Sequence, residues 1–402
     1  MTEAAKAVMD RVLVLVRLSL WGGDPAGLSV DEAVYAELKR HTILALPAGL
    51  MGRLAMPDDL RRAWKLAMMQ QVAFYVQCQR AQAELPVTAP YALLKGSEAA
   101  RYYPDAKLRA MGDIDIMPRR EDFAAVCDML LNGGYMEVPD DDADHATGRH
   151  RQFRKGQVFV EVHAYYAHTN DLKKAEVIDG LILSRMRPDH TLPDEVNGIV
   201  LLDHINHHME SGLGLRQVID WMMFADRRLS DAQWPAFRDL ARQTGHDRLA
   251  VAVTRMCEIY LGLPKRAWTA GADPALCERL MAYVMDSGNF GRRTETDSWT
   301  SVDFLSNLRS LKGTVAVLQR RGLENWPAAR RHRLLRPFAW IYQAGRYLRK
   351  GLGRDHSIAR FRSEYEDSRR WNDLCEALGV PRASSGLVRY RNGKYVREKR
   401  TD

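Results

Sequence analysis

Cysteine is scarce in this chain, five residues in 402. Cys78, Cys127, Cys257, Cys277 and Cys375 are odd in number, widely scattered and never in a Cys-x-x-Cys pair. That spacing indicates neither a disulfide framework nor a thiolate zinc site, and leaves buried free thiols as the expectation for most of them. No apolar run reaches the roughly 18 residues that a membrane-spanning helix needs. No early window joins a basic segment to an apolar one and a small-residue cleavage site, so the chain reads as cytoplasmic. Internal repeats and low-complexity tracts are also missing. With 46% hydrophobic residues, the chain can bury a large core in two or three structural units.

Positive charge is in excess. A formal charge of +8 and a pI near 9.2 suit a nucleotide, a nucleic acid or an anionic membrane surface as partner. Much of the excess follows Arg292, in RRHRLLR, YLRKGLGR and VREKR, whereas Asp140, Asp141, Asp142 and Asp144 form an acidic loop. A charge run is in the first place a solvated face. The stretch from Tyr91 to Met117, YALLKGSEAARYYPDAKLRAMGDIDIM, carries the chemistry. In a β-strand, Asp113 and Asp115 project to one face while Ile114 and Ile116 bury on the other. Two carboxylates side by side repel unless a cation joins them, and such hard oxygen ligands suit Mg²⁺ carrying phosphates. Upstream, the apolar run Tyr91 to Leu94 breaks at Lys95-Gly96-Ser97, where a helix begins. Glycine there lets backbone N–H groups approach a phosphate, and Ser97 is placed both to cap the helix and to donate to a phosphate oxygen.

A strand, a Gly-Ser turn into a helix and Asp-x-Asp on a second strand resemble the DNA polymerase β-like nucleotidyltransferase superfamily. The wording LLKGSEAARYYPDAKLRAMGDIDIMP is similar to a bacterial branch of it, an uncharacterised nucleotidyltransferase family, through its Lys-Gly turn, Tyr103-Pro104, Arg109 and Gly-Asp-Ile-Asp. The resemblance is densest over residues 91 to 165. It implies a third metal-binding carboxylate on a neighbouring strand, for which Glu161 in Val160-Glu161-Val162-His163 is the candidate. His163 shares the face of Glu161 by strand alternation. It reads either as a substrate-positioning or proton-relay group, or as a partner that orients a carboxylate.

The fold expected is α+β, a small mixed-sheet nucleotidyltransferase core embedded between helical regions. Residues 1–86 form a helical N-terminal region, 87–190 the α/β core, 191–354 a helical domain and 355–402 a basic tail. In the first region, Asp31 to Arg40 is a helix with Ser29 as cap, and Pro57 to Leu85 a long amphipathic one. The core has strands at Tyr91 to Lys95 and Asp113 to Met117, helices from Ser97 to about Tyr103 and from Glu121 to Leu131, and a possible third strand from Tyr135 to Val138. A hairpin of His150 to Arg154 and Val158 to Tyr165 turns at Lys155-Gly156-Gln157. Asp203, His204, His207 and His208 share a helix face. Interleaved Leu201, Leu202, Ile205 and Met209, and the missing HExxH glutamate, argue against a zinc site. His204, His208 and Asp220 match family positions, and read as structural or cleft-lining. The loop DSGNFGRRTETD offers Arg292 and Arg293 to phosphates. The segment Leu334 to Leu352 reads as a basic amphipathic helix starting near Pro337, which suits a membrane surface or the helical body.

The resemblance implies that Asp113, Asp115 and Glu161 hold two Mg²⁺ ions, or Mn²⁺ in their place, about 4 Å apart for phosphoryl transfer. Gly96 and Ser97 would cradle the β- and γ-phosphates of ATP or another NTP, with Lys95 and Arg109 as clamps, Lys95 being equally placed for an ion pair at the strand end. His163 and Arg292 are candidates for substrate positioning. The implied reaction moves a nucleoside monophosphate from NTP to a hydroxyl on a small molecule or protein and releases pyrophosphate. A non-catalytic nucleotide-sensing or interaction protein and a toxin-like enzyme modifying tRNA remain alternatives. Neither base, acceptor nor oligomeric state follows from the motifs.

Overall fold

The computed structural model describes residues 3–138, 149–169 and 171–289, and parts of 315–397. The chain divides into two compact units, Met1–Arg292 with Gly386–Asp402, and Arg293–Ser385. The first unit opens with α1 (Glu3–Trp21), α2 (Glu32–Arg40) and α3 (Asp58–Ala83). The cap of α2 is Asp31, whose carboxylate accepts from Val34 N–H at 3.0 Å. Ser29 instead lies in an isolated bridge to Ala55. A carboxylate at the cap position serves the orphan N–H groups that a serine two residues earlier cannot reach.

The sheet contains β1 (Tyr91–Leu94), β2 (Ile114–Pro118), β3 (Met136–Val138), β4 (His150–Lys155) and β5 (Val158–His163), in the order β1-β2-β5-β4-β3. Only β2 and β5 run parallel. Helices α4 (Gly96–Ala100) and α5 (Phe123–Asn132) lie in its connections. One face is apolar. Ile114 and Ile116 of β2, Val160 and Val162 of β5 and Phe153 of β4 bury there against Val126, Cys127 and Leu130 of α5 and Cys78 of α3. Strand alternation then turns Asp115 and Glu161 to the opposite face. The β4–β5 hairpin turns at Gly156, whose φ of +61° favours a residue without a Cβ.

That second face is covered by α6 (Leu172–Arg185), α7 (Asp194–Ser211) and α8 (Leu215–Arg228), followed by α9 (Trp234–Thr244), α10 (Asp247–Tyr260) and α11 (Pro274–Ser287). Helix α8 is buried nearly all round from Gln217 to Ala225, so it reads as a core helix rather than an amphipathic surface one. All five cysteines are buried and none is in a disulfide. Among the described residues, no helix is long and apolar enough to cross a membrane. In the second unit, Pro327–Arg331, Ala339–Gly351 and Ile358–Ala377 are helical, and Trp326 stacks on Tyr342 with centroids 4.9 Å apart.

Candidate active site

The site begins with register. Asp115 and Glu161 are paired residues of the parallel strands β2 and β5, and β4 places Gln152 opposite Glu161 and His150 opposite His163. Ligand atoms of Asp115, Glu161 and His163 all lie within 4.8 Å of one another. Among the described residues this is the group able to hold a metal ion. Asp113 stands outside it. It precedes the first paired residue of β2 and is half-buried, close enough that its charge raises the proton affinity of Glu161.

Two groups fix Asp115, which is only 1% exposed. Lys95 Nζ lies 2.8 Å from its Oδ1, and His163 Nε2 is 2.8 Å from the same oxygen. A carboxylate only accepts, so His163 is the Nε2–H tautomer, and its buried Nδ1 has no hydrogen-bond partner. Burial pushes the His163 pKa down to about 4, so the ring is neutral. Burial opposes the charge of Asp115, yet Lys95 and His163 together hold its carboxyl below the usual range. Glu161 goes the other way. Burial, then Asp113 and Asp115, push its carboxyl well above the ordinary value, and burial followed by Asp115 raises that of Asp113. Three carboxylates therefore share one lysine, and the second oxygen of Asp115 is buried with no hydrogen-bond partner among the described residues.

The Lys-Gly-Ser turn is built by close approach. A Cβ on Gly96 would sit 3.3 Å from Met111 Cε and 3.4 Å from the Asp113 carbonyl. Lys95 adopts φ +47° and ψ −126°, a region costly for a side chain with a Cβ and tolerated where surrounding structure imposes it. Lys95, not Ser97, holds the cap position of α4, and Ser97 lies within the helix. Its hydroxyl donates to Gln82 Oε1 of α3 at 2.7 Å, so the serine ties the turn to the N-terminal helices.

Arg109 is engaged by the helical layer. Its Nε and Nη2 donate to both oxygens of Asp220 on α8, at 2.9 and 2.7 Å, and it is 3% exposed. Tyr103 donates to the same carboxylate at 2.8 Å. Tyr102 donates to Asp194 at 2.8 Å and accepts from Asn197 at 3.0 Å, both on α7. Tyr102, Tyr103 and Arg109 thus dock the helical layer onto the sheet. Arg292 and Arg293 lie outside the described residues. Asn289, at the start of that loop, is buried and accepts from the Gln217 side chain at 2.7 Å.

Beside the carboxylates, α7 presents His204, His207 and His208. His208 Nδ1 lies 3.1 Å from the Gly212 carbonyl and must donate to it, which leaves its Nε2 to accept from His204 Nε2 at 3.0 Å. Burial, then Arg216 and Lys95, bring the His208 pKa down to about 3. Asp203 serves a different purpose: it accepts from His168 Nδ1 at 3.0 Å and faces His246 at 3.3 Å. Sequence periodicity groups Asp203 with these histidines on one helix face, but here it anchors the loop after β5.

A sequence profile of an uncharacterised nucleotidyltransferase family matches residues 29–262. The chain belongs to that family. The match runs from the approach to α2 through the sheet to the end of α10, so this nucleotidyltransferase includes its helical layer within the family's span. No curated protein and no solved structure matches the chain significantly. Arg216 of α8, which the sequence does not single out, lies within electrostatic reach of Asp113, and nothing in its local wording, Leu215-Arg216-Gln217, sets it apart.

Proposed function

We propose that this protein transfers a nucleoside monophosphate from an NTP to a hydroxyl on a small molecule or protein, releasing pyrophosphate. The observation that carries the reading is the register-matched pair Asp115 and Glu161, with Asp113 beside it, on the sheet face turned toward the helical layer. The donor set fits a divalent cation. Its oxygens are hard ligands, Asp115 Oδ2 is buried without a partner, and the proton affinity of Glu161 is raised by its carboxylate neighbours. Asp115 and Glu161, joined by Asp113, would hold Mg²⁺ or Mn²⁺. Such an ion, when bound, supplies acidity to the acceptor hydroxyl and compensates charge on the departing pyrophosphate. Lys95 keeps Asp115 ionised before substrate arrives, and His163, through its Nε2–H, fixes the direction in which Asp115 offers its free oxygen. The Lys95-Gly96-Ser97 backbone is the proposed phosphate cradle, with Lys95 as the clamp.

Pyrophosphate release tests this directly, with each of the four NTPs, Mg²⁺, and cell extract as acceptor source. The wild type should release pyrophosphate and move label from one NTP onto an extract component, and an Asp113→Ala/Asp115→Ala double variant should do neither. Equal release by the double variant would refute the carboxylate assignment. Silence of the wild type in every extract, with NTP binding intact, would favour a sensing protein.

The second unit supports a membrane-surface contact. Leu334 is 87% exposed and Phe338 54%, beside Arg333 and Arg336. An exposed apolar face flanked by arginines suits anionic lipid. Co-sedimentation with phosphatidylserine vesicles, lost in a Leu334→Ser/Phe338→Ser variant, is the expected result, and equal sedimentation of both forms would refute it.

A further inference from the structure

Arg216 is placed with unusual firmness for a residue that pairs with so little. It is the second residue of α8, whose start is fixed from three directions. Leu215 N–H donates to His41 Nδ1 at 3.1 Å, Gly214 N–H donates to Gln217 Oε1 at 3.2 Å, and the Gln217 amide reaches Asn289. Gly214 has no room for a side chain, because a Cβ would lie 2.8 Å from Asn289 Cα and 2.9 Å from its nitrogen. Asp220, one turn further along α8, is clamped by Arg109 and Tyr103. The helix cannot shift without breaking these contacts.

The guanidinium so placed is short of partners. Its Nη1 lies 3.4 Å from the Ala110 carbonyl, at the long end of a hydrogen bond, and its buried Nε has no partner among the described residues. It forms no ion pair among them. Asp220, the nearest carboxylate on its own helix, is committed to Arg109. The imidazoles of His204 and His208 are neutral and so cannot be counter-ions. Burial and the adjacent Arg109 disfavour its charge, and outweigh the support that Asp220 and Asp113 give it from beyond ion-pair distance. A half-buried, incompletely paired cation is unfavourable unless an anion completes it.

We propose that Arg216 binds a phosphate group of the substrate, on the side of the carboxylate cluster formed by the helical layer. This rests on the nucleotidyl-transfer reading above. A planar fork of donors matches two phosphate oxygens at once, and a cation at this point disfavours a second metal on α7 while favouring an anion. The phosphate belongs either to the triphosphate of the NTP or to a phosphorylated acceptor.

Calorimetric titration of the full chain in Mg²⁺ separates these. The probes are a non-hydrolysable NTP analogue, tripolyphosphate, a sugar monophosphate and the unphosphorylated nucleoside, with wild type, Arg216→Met and Arg216→Lys. Arg216→Met should lose roughly 10- to 100-fold in affinity for the phosphate probe concerned, leave nucleoside affinity unchanged, and melt no lower than wild type because an unpaired charge has been removed. Arg216→Lys should fall between. Loss confined to the analogue and tripolyphosphate identifies the triphosphate, and loss confined to the sugar monophosphate identifies the acceptor. Unchanged affinity for every phosphate probe would overturn the assignment while leaving nucleotidyl transfer standing. A lowered melting temperature with nucleoside binding also lost would mark a structural arginine and overturn it too. If the wild type binds no NTP analogue, the nucleotidyl-transfer reading fails and this inference with it.

Discussion

Replacing Asp220 by alanine should be among the most damaging single changes in the protein, although Asp220 touches no reacting group. Its carboxylate accepts two hydrogen bonds from Arg109 and one from Tyr103, all between 2.7 and 2.9 Å, and it is 1% exposed. Removing it leaves the Arg109 guanidinium, 3% exposed, without its counter-ion and next to Arg216. Breaking a buried pair in this way costs about 3–5 kcal/mol, and the stranded Tyr103 hydroxyl adds about 1–3 kcal/mol. The two terms overlap, so the expected loss is roughly 4–6 kcal/mol, a large share of the roughly 5–15 kcal/mol that stabilises a typical fold. Urea denaturation followed by circular dichroism measures it. An Arg109→Met/Asp220→Leu double variant should recover most of the loss, since an apolar pair of similar volume leaves no buried charge uncompensated. A cost under about 1 kcal/mol for Asp220→Ala, the scale of an exposed ion pair, would refute the docking role and return Arg109 to the list of phosphate contacts.

Asp115→Asn should abolish Mg²⁺ or Mn²⁺ binding in calorimetry and reduce pyrophosphate release at least about 100-fold; retained metal affinity would remove Asp115 from the ligand set. Lys95→Gly and Lys95→Met both delete the ammonium, but only glycine relieves the backbone at φ +47°, so the glycine variant should be more stable by about 1–2 kcal/mol. Equal stabilities would mean the turn is unstrained. His163, His168 and His208 have pKa values lowered from 6.5 to about 4, 4 and 3. As pH falls below 6.5 the unfolded chain takes up protons that the folded chain refuses, so stability falls by about 1.4 kcal/mol per pH unit for each histidine until about pH 4. Glu161 and Asp113, raised in the fold, offset part of this. Denaturation midpoints that stay flat from pH 7 to 5 would refute the neutral histidine wall.

How far the site was legible follows from how local each signal is. The alternation that brings Asp115 to one face and Ile114 and Ile116 to the core is a property of consecutive residues, and β2 and the β4–β5 hairpin follow it within a residue or two. Glu161 needed the family resemblance, because its register against Asp115 depends on a parallel pairing 46 residues away. The roles of Ser97 and Arg109 were not legible. Each has the right chemistry for a phosphate, but Ser97 meets Gln82 of a preceding helix and Arg109 meets an aspartate separated by 111 residues. Arg216 is one of 59 lysines and arginines, distinguished only by what fails to pair with it in three dimensions.

The stretch from Tyr91 to Met117 therefore carries two kinds of residue. Lys95, Asp113 and Asp115 belong to the candidate site, while Tyr102, Tyr103 and Arg109 bind α7 and α8. This bears on whether the α/β core, residues 87–190, can stand alone. Its apolar face packs on Cys78, Phe74 and Tyr75 of α3, outside the core on one side of the chain. Its other face places Tyr102, Tyr103 and Arg109 against Asp194, Asn197 and Asp220, outside it on the other. A fragment of residues 87–190 would expose the first set of contacts to water and strand the second, leaving a five-stranded sheet covered in part only, by α5 and α6. Expressed alone, it should show no cooperative thermal transition and bind apolar dyes. A sharp melt of that fragment would show that the sheet carries its own core, and that the tyrosine and arginine contacts to the helical layer add alignment rather than stability.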